Sequence, residues 1–291
     1  MTTRIFTASD NTSLMCAIWD NVETPIGVVQ IIHGVFEDMK TYDKLAHFLN
    51  RNGYIVFGID KPLTRTPRTF DRAARQESDI MQYLNKKYML PIFLIGYGYG
   101  GFVAQYVLQN ANIPTSALCL IRTGHRYRWM IHLAHRIAKI GAYIYGSDTP
   151  ARFINFFIRR HCGQNLKSPM GTYGFYVSLL DGMAKLECNS KFDNPIMIIC
   201  DANDCDTPNA RFSRALYNAY RNNDMDKTTL VIYPDMRNKM LMEMICGTIQ
   251  EDILTFFNNT NLLYSSTKTA AEPSWTIISG ASSYVLLPVQ T

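Results

Sequence analysis

Pro91-Ile-Phe-Leu-Ile-Gly96-Tyr97-Gly98-Tyr99-Gly100-Gly101-Phe-Val-Ala-Gln105 decides the fold. Ile92 to Ile95 has the length of a buried strand, the four glycines make a sharp turn, and Phe102 to Leu108 restarts at helical spacing. The spacing predicts strand, turn and helix in fifteen residues. Two known sites share that shape. In the Gly-x-Ser-x-Gly elbow a strained turn lifts a nucleophilic serine above a sheet; Gly96, Gly98 and Gly100 hold its frame, with glycine where the serine belongs. In the dinucleotide fingerprint Gly-x-Gly-x-x-Gly, matched by Gly96, Gly98 and Gly101, the turn receives a pyrophosphate, and Arg122 beyond the next strand could meet a 2′-phosphate.

The same alternation extends to both sides. Ile5–Ser9 and Leu14–Trp19 read as a hairpin around Asp10-Asn11-Thr12. Ile26–Ile32, Tyr54–Ile59, Ala117–Ile121, Ile196–Cys200 and Leu230–Tyr233 are continuous apolar runs of the kind buried on both faces. Helical spacing fills Tyr42–Asn50, Arg72–Tyr88, Ala210–Tyr220 and Met240–Phe257. Six buried strands alternating with helices predict an α/β fold with a mostly parallel, doubly wound sheet. The rhythm stops between about residues 122 and 190, which predicts a helical cap inserted above the strand ends. The main domain is expected over 1–258, and 259–291 forms a Ser/Thr-rich C-terminal extension of unassigned role, closing on the apolar run Tyr284–Val289.

With the strands in order, the chain resembles the lysophospholipase and monoacylglycerol-lipase branch of the α/β-hydrolases, from about Ile5 to Asn258. Ile31-Ile32-His33-Gly34-Val35-Phe36-Glu37 with Tyr42 is similar to its His-Gly-x-x-Glu oxyanion segment. Leu94 to Gly101 is similar to its Gly-His-Ser-Met-Gly-Gly elbow. Cys200-Asp201-Ala202-Asn203-Asp204 resembles the strand end that supplies the triad acid, and Tyr233-Pro234-Asp235-Met236-Arg237-Asn238 the segment that supplies the base. The resemblance implies an α/β-hydrolase fold in which serine attacks an ester, histidine takes its proton and an acid orients the imidazole.

Carried over by position, the nucleophile is Gly98, the acid Asp204 and the base Asn238. Glycine offers no nucleophile and an asparagine amide no base near neutral pH, so only Asp204 survives. No Gly-x-Ser-x-Gly occurs elsewhere, and the last histidine, His161, precedes Asp204, whereas the family order places the base after the acid. The Asp-His-Arg-Gly-His-Gly turn of the family is here Asp60-Lys61-Pro62-Leu63-Thr64-Arg65. The oxyanion amides would come from Val35 and Tyr99, and Phe36 and Tyr97 are pocket candidates. Tyr97 and Tyr99 are expected to fill the vacated space, since phenols with a pKa near 10 are poor nucleophiles at neutral pH. Lys239 would replace the base only if desolvated. Cys119, Cys200 and Cys205 are expected as buried structural thiols, and His33 as a loop-shaping residue. The dinucleotide reading stays as a lesser alternative, because a fingerprint normally follows the first strand of its domain.

These residues predict a non-catalytic hydrolase relative that binds a lipid-like or small apolar ligand, or a protein. The rival is a lipid-ester hydrolase with relocated nucleophile and base. No cofactor or metal is implied; His132 and His135, three apart, lack a supporting ligand cluster. The formal charge of +5 is too mild to point to nucleic acid. It is unevenly spread, however: between Arg122 and Arg160 the only acid is Asp148. Along Trp129–Tyr145, Met130, Leu133, Ile137, Ile140 and Ile144 share one side. The expected packing turns that side onto the pocket, while a second reading lays a basic amphipathic cap on anionic lipid. Seven scattered cysteines, no apolar run long enough for a span and no signal-peptide core predict a cytoplasmic protein, at most peripheral to a membrane.

Overall fold

The computed structural model describes residues 1–34, 37–60, 69–110, 113–124, 128–152, 154, 171–186, 193–202, 210–234, 247–267 and 284–285, with backbone alone for 128–132, 134 and beyond 262. Its centre is a nine-stranded sheet. The strands are β1 (Thr2–Thr7), β2 (Ser13–Trp19), β3 (Gly27–Ile32), β4 (Tyr54–Asp60), β5 (Ile92–Tyr97), β6 (Ala117–Ile121), β7 (Ile196–Asp201), β8 (Thr228–Tyr233) and the two-residue β9 (Tyr284–Val285). Their spatial order is β1-β2-β4-β3-β5-β6-β7-β8-β9. β1 and β2 form the expected hairpin, β2 runs antiparallel to β4, and β4 through β8 are parallel. β9 returns antiparallel along β8, placing part of the unassigned C-terminal run on the sheet edge.

Side-chain alternation along the strands builds two cores. Val28, Ile32, Leu94, Leu118 and Ile198 face the helices α2 (Phe70–Tyr88), α3 (Tyr99–Asn110) and, near the far edge, Leu216 and Tyr220 of a further helix, Arg211–Arg221. Val29, Ile31, Phe93, Ile95 and Ile199 face α1 (Asp43–Arg51) and the C-terminal helix, Thr248–Thr267. Local signals set the ends. Thr69 caps α2 by accepting from the Arg72 amide, and Met89 closes it at φ +51°. The C-terminal helix does not stop at Asn258 but runs on to Thr267, anchored where Tyr54 donates to Asn258 and Asn261 to the Ile26 carbonyl.

The cap contains α4 (Arg128–Tyr145) and α5 (Tyr173–Lys185), which pack on each other; the helices at Arg211–Arg221 and Thr248–Thr267 are then α6 and α7. Here the expected orientation fails. Leu133, Ile137, Ile140 and Ile144 point outward, whereas Ala138 and Gly141 are the buried residues of α4. The reason is steric. A Cβ at Gly141 would overlap the Tyr173 ring, so the helices approach through the small-residue side, which large aliphatics could not enter. β3 and β5 are the neighbours at which the strand order reverses, and both point their carboxyl ends at one crevice. Open α/β sheets form their binding sites at such a switch point.

Candidate functional site

Gly98 stands at that crevice, between the end of β5 and the first turn of α3, with φ +52°. Its amide donates to the Ile121 carbonyl at 2.9 Å, and its carbonyl accepts from the Gly101 amide and the Thr123 hydroxyl, both at 3.1 Å. The surrounding glycines are there for space. A Cβ on Gly96 would lie 2.6 Å from the Gly101 Cα; one on Gly100 would overlap the Ile32 carbonyl oxygen, and one on Gly101 the Thr123 hydroxyl. At Gly98 the situation reverses, since a Cβ would meet nothing within 4 Å. The turn thus has a left-handed backbone, tight packing on three sides and an unoccupied position at its tip.

The two flanking tyrosines do not fill that position, contrary to the sequence expectation. Alternation along β5 sends Tyr97 into the core facing α1 and α7, where it is buried. Tyr99 is drawn the other way, edge-on to Phe70 with ring centroids 6.1 Å apart and against Phe175 of the cap at 5.9 Å. Phe70 also lines a cleft of about 670 Å³ between the start of α2 and the cap, together with Lys139, Val177, Ser178, Gly182 and Lys185. Ser178 accepts from the Phe70 amide at 2.6 Å, and Lys185 pairs with Asp71.

Beneath the elbow lies a polar cluster whose roles the sequence did not disclose. Glu37 accepts from the Tyr42 hydroxyl at 3.3 Å and rests against Gly34, where a Cβ would overlap its carboxylate. Burial pushes its carboxyl up to about 7, against the opposing pull of the Gly34 amide, the Tyr42 hydroxyl and the Arg122 charge. Desolvation also carries Tyr42 well above the phenol range, with Glu37 and Tyr97 adding to the rise. Arg122, the candidate for a 2′-phosphate, has φ +50°, donates its amide to the Ile199 carbonyl and directs its charge at Glu37. Thr123, which holds the Gly98 carbonyl and sets the approach of Gly101, was also missed. Its signal was its place just beyond β6, the strand beside β5.

His33 is buried with Nδ1 2.7 Å from the Gly34 carbonyl, shaping the loop. His135 pairs with Asp181 of α5 at 2.8 Å. Cys119 and Cys200 are buried in strands, and burial, reinforced by Asp252, drives the Cys119 thiol far above its usual range. The register pairs Ile32 with Gly96, Tyr97 with Ile121 and Asp201 with Tyr233, so the four motif segments leave the sheet at one edge. Tyr233 donates to Asp252 of α7. Val35, Phe36, Asp204, Cys205, Asn238 and Lys239, and the side chain of His132, lie outside the described residues.

Residues 23–244 match the family model for serine aminopeptidase, S33. Among solved structures, a thermostable carboxyl esterase from Bacillus coagulans, in complex with glycerol, is 16% identical, covering 89% of this chain and 98% of its own, with TM-score 0.68. A soluble variant of monoglyceride lipase from Saccharomyces cerevisiae, in complex with a substrate analog, is 16% identical over 89% and 94%, TM-score 0.64. The monoacylglycerol lipase of Paleococcus ferrophilus is 17% identical over 84% and 100%, TM-score 0.59. No curated protein sequence matches the chain.

Proposed function

This chain belongs to the serine aminopeptidase, S33 family of α/β-hydrolases, and from that premise we propose that it is a non-hydrolytic member that keeps the elbow and cap to bind a lipid-like or small apolar ligand, or a protein. One observation carries the reading: the elbow has its left-handed turn, its packed glycines and room at the tip, and the tip residue is Gly98. Asn238 at the base position adds to it. A serine in that backbone conformation is strained by roughly 1–3 kcal/mol. Once cleavage is no longer required, glycine removes the strain and leaves the architecture standing. Among the described residues, three groups that could substitute are engaged elsewhere: His33 shapes its loop, His135 faces Asp181, and the Cys119 thiol is buried and held protonated. The aromatic wall of Phe70, Tyr99 and Phe175 suits an apolar ligand. The lipase names among the structural neighbours suggest an acyl chain as that ligand.

Purified protein should release no product from p-nitrophenyl acyl esters or monoacylglycerols and should take no label from a fluorophosphonate. The pair Gly98→Ser with Asn238→His should create turnover where there was none. Turnover or labelling of the unchanged protein would overturn the proposal in favour of a lipid-ester hydrolase with a relocated nucleophile. Binding of NAD or NADP would favour the dinucleotide reading.

A further inference from the structure

The outward face of α4 is a feature that the elbow leaves unused. Leu133, Ile137, Ile140 and Ile144 succeed one another at helical spacing over about 16 Å of helix, and each is 44% to 61% exposed. Tyr143 stands exposed near the end of this row, whereas the Tyr145 ring, though partly exposed, stacks on Tyr173 of α5 at 5.9 Å. Exposed Arg136 and Lys139 flank it, and Asp148 is the only acid in the sequence from Arg122 to Arg160. The inner side of α4 is already committed, through Ala138, through Gly141 against Tyr173 and through the His135–Asp181 pair. The aliphatic row therefore cannot rotate inward without breaking these contacts.

We propose that α4 docks this protein peripherally on an anionic lipid surface, with the aliphatic row among the upper acyl chains, Tyr143 at headgroup depth and Arg136 and Lys139 on the phosphates. Tyrosine at the polar–apolar boundary, aliphatics below it and cations beside it is the pattern that lets a helix lie in an interface. Charge separates lipid from a second copy of this chain. A two-fold contact through α4 would bring two basic rims together, and the nearby acids Asp148 and Asp181 offset them only in part, Asp181 being already paired with His135. An anionic bilayer supplies the missing counter-charge over the whole face. Among the described residues no helix is long and apolar enough to cross a membrane, so the contact is one of lying on the surface. The inference does not depend on whether the elbow binds or cleaves a ligand.

The test is co-sedimentation of the full chain with vesicles of phosphatidylcholine alone and of phosphatidylcholine with phosphatidylserine. Binding to the anionic vesicles is expected, weakened by added salt. Arg136→Gln with Lys139→Gln should lower the affinity about 25-fold, at roughly fivefold per cation. Ile137→Asp with Ile140→Asp should abolish it, while Met89→Gln, at an exposed apolar site on the end of α2, leaves it intact. Thermal unfolding checks that each variant is folded. Independently, a tryptophan placed by Ile140→Trp should be quenched by brominated acyl chains. Equal binding by wild type and the Ile137/Ile140 double variant would overturn the proposal. So would an absence of binding, or a concentration-dependent dimer abolished by the same double variant.

Discussion

Two glycines two residues apart, Gly98 and Gly100, should respond oppositely to a side chain. At Gly98 the added atoms have open space and only the backbone resists, so Gly98→Ser should cost about 1–2 kcal/mol from the left-handed conformation. At Gly100 the methyl of alanine meets the Ile32 and His33 carbonyl oxygens, backbone atoms that cannot yield. Gly100→Ala should therefore cost about 3 kcal/mol or more, or prevent folding. Urea unfolding midpoints of the two variants decide this; equal losses would mean the space at Gly98 is not real. Glu37 adds a pH signature. Its folded pKa of about 7 lies above the ordinary value of 4.5, so the folded state binds the extra proton between those values. The stabilisation is complete below about pH 4.5 and lost as pH rises through 7. Glu37→Gln should flatten that slope, gaining on wild type by up to about 3 kcal/mol between about pH 5 and pH 8. Midpoints at both pH values test it, and parallel curves would refute the upward shift of this half-buried carboxyl. Neither effect was legible in the sequence. The glycine frame was readable as letters, but which glycine packs and which is free depends on β3 and β6, whose residues lie far away in the chain.

The single elements were readable where burial is symmetric and unreadable where it is one-sided. Strands β3 to β8 are largely apolar because both faces are covered over most of their length, and their positions followed from that. In α4 the sequence displays an aliphatic row but not its direction, leaving packing on the pocket as the expectation and contact with lipid as the second reading. Gly141, which determines the direction, reads in the sequence as a mere weak point of the helix. The C-terminal boundary was misleading for a related reason. The Asn- and Thr-rich stretch after Phe257 looks like the end of a domain, yet Thr260 is buried and Asn261 reaches Ile26 across the molecule. Ending the chain after Asn258 should therefore lower stability by roughly 1–3 kcal/mol relative to a chain ending at Thr267, through the lost hydrogen bond and the frayed last turns. Calorimetric comparison of the two truncations would show it, and identical melting would mean that these turns contribute nothing.

At the scale of the molecule, Phe70 is a point at which the described parts of sheet layer and cap meet. Phe70 starts α2, lines the cleft, meets Tyr99 beside the elbow and lies under Gly182 of α5, where a Cβ would overlap its ring. Its amide is held by Ser178, and the neighbouring Asp71 by Lys185. The ion pair is half exposed, with side-chain accessibilities of 47% on both sides, and should contribute well under 1 kcal/mol. Close packing should carry most of the attachment. Gly182→Ala separates these contributions: the new methyl would overlap the buried Phe70 ring, so it must push the ring toward the cleft or lift α5. Faster amide exchange is expected in α5 and around Tyr99, with β3 to β7 unchanged, whereas Asp71→Asn should leave exchange in α5 nearly as it was. If both variants loosened the cap equally, the charge pair rather than the aromatic contact would be holding it. If Gly182→Ala loosened the sheet as well, cap and sheet would be one cooperative unit, and the elbow would feel every change at the outer surface of α4.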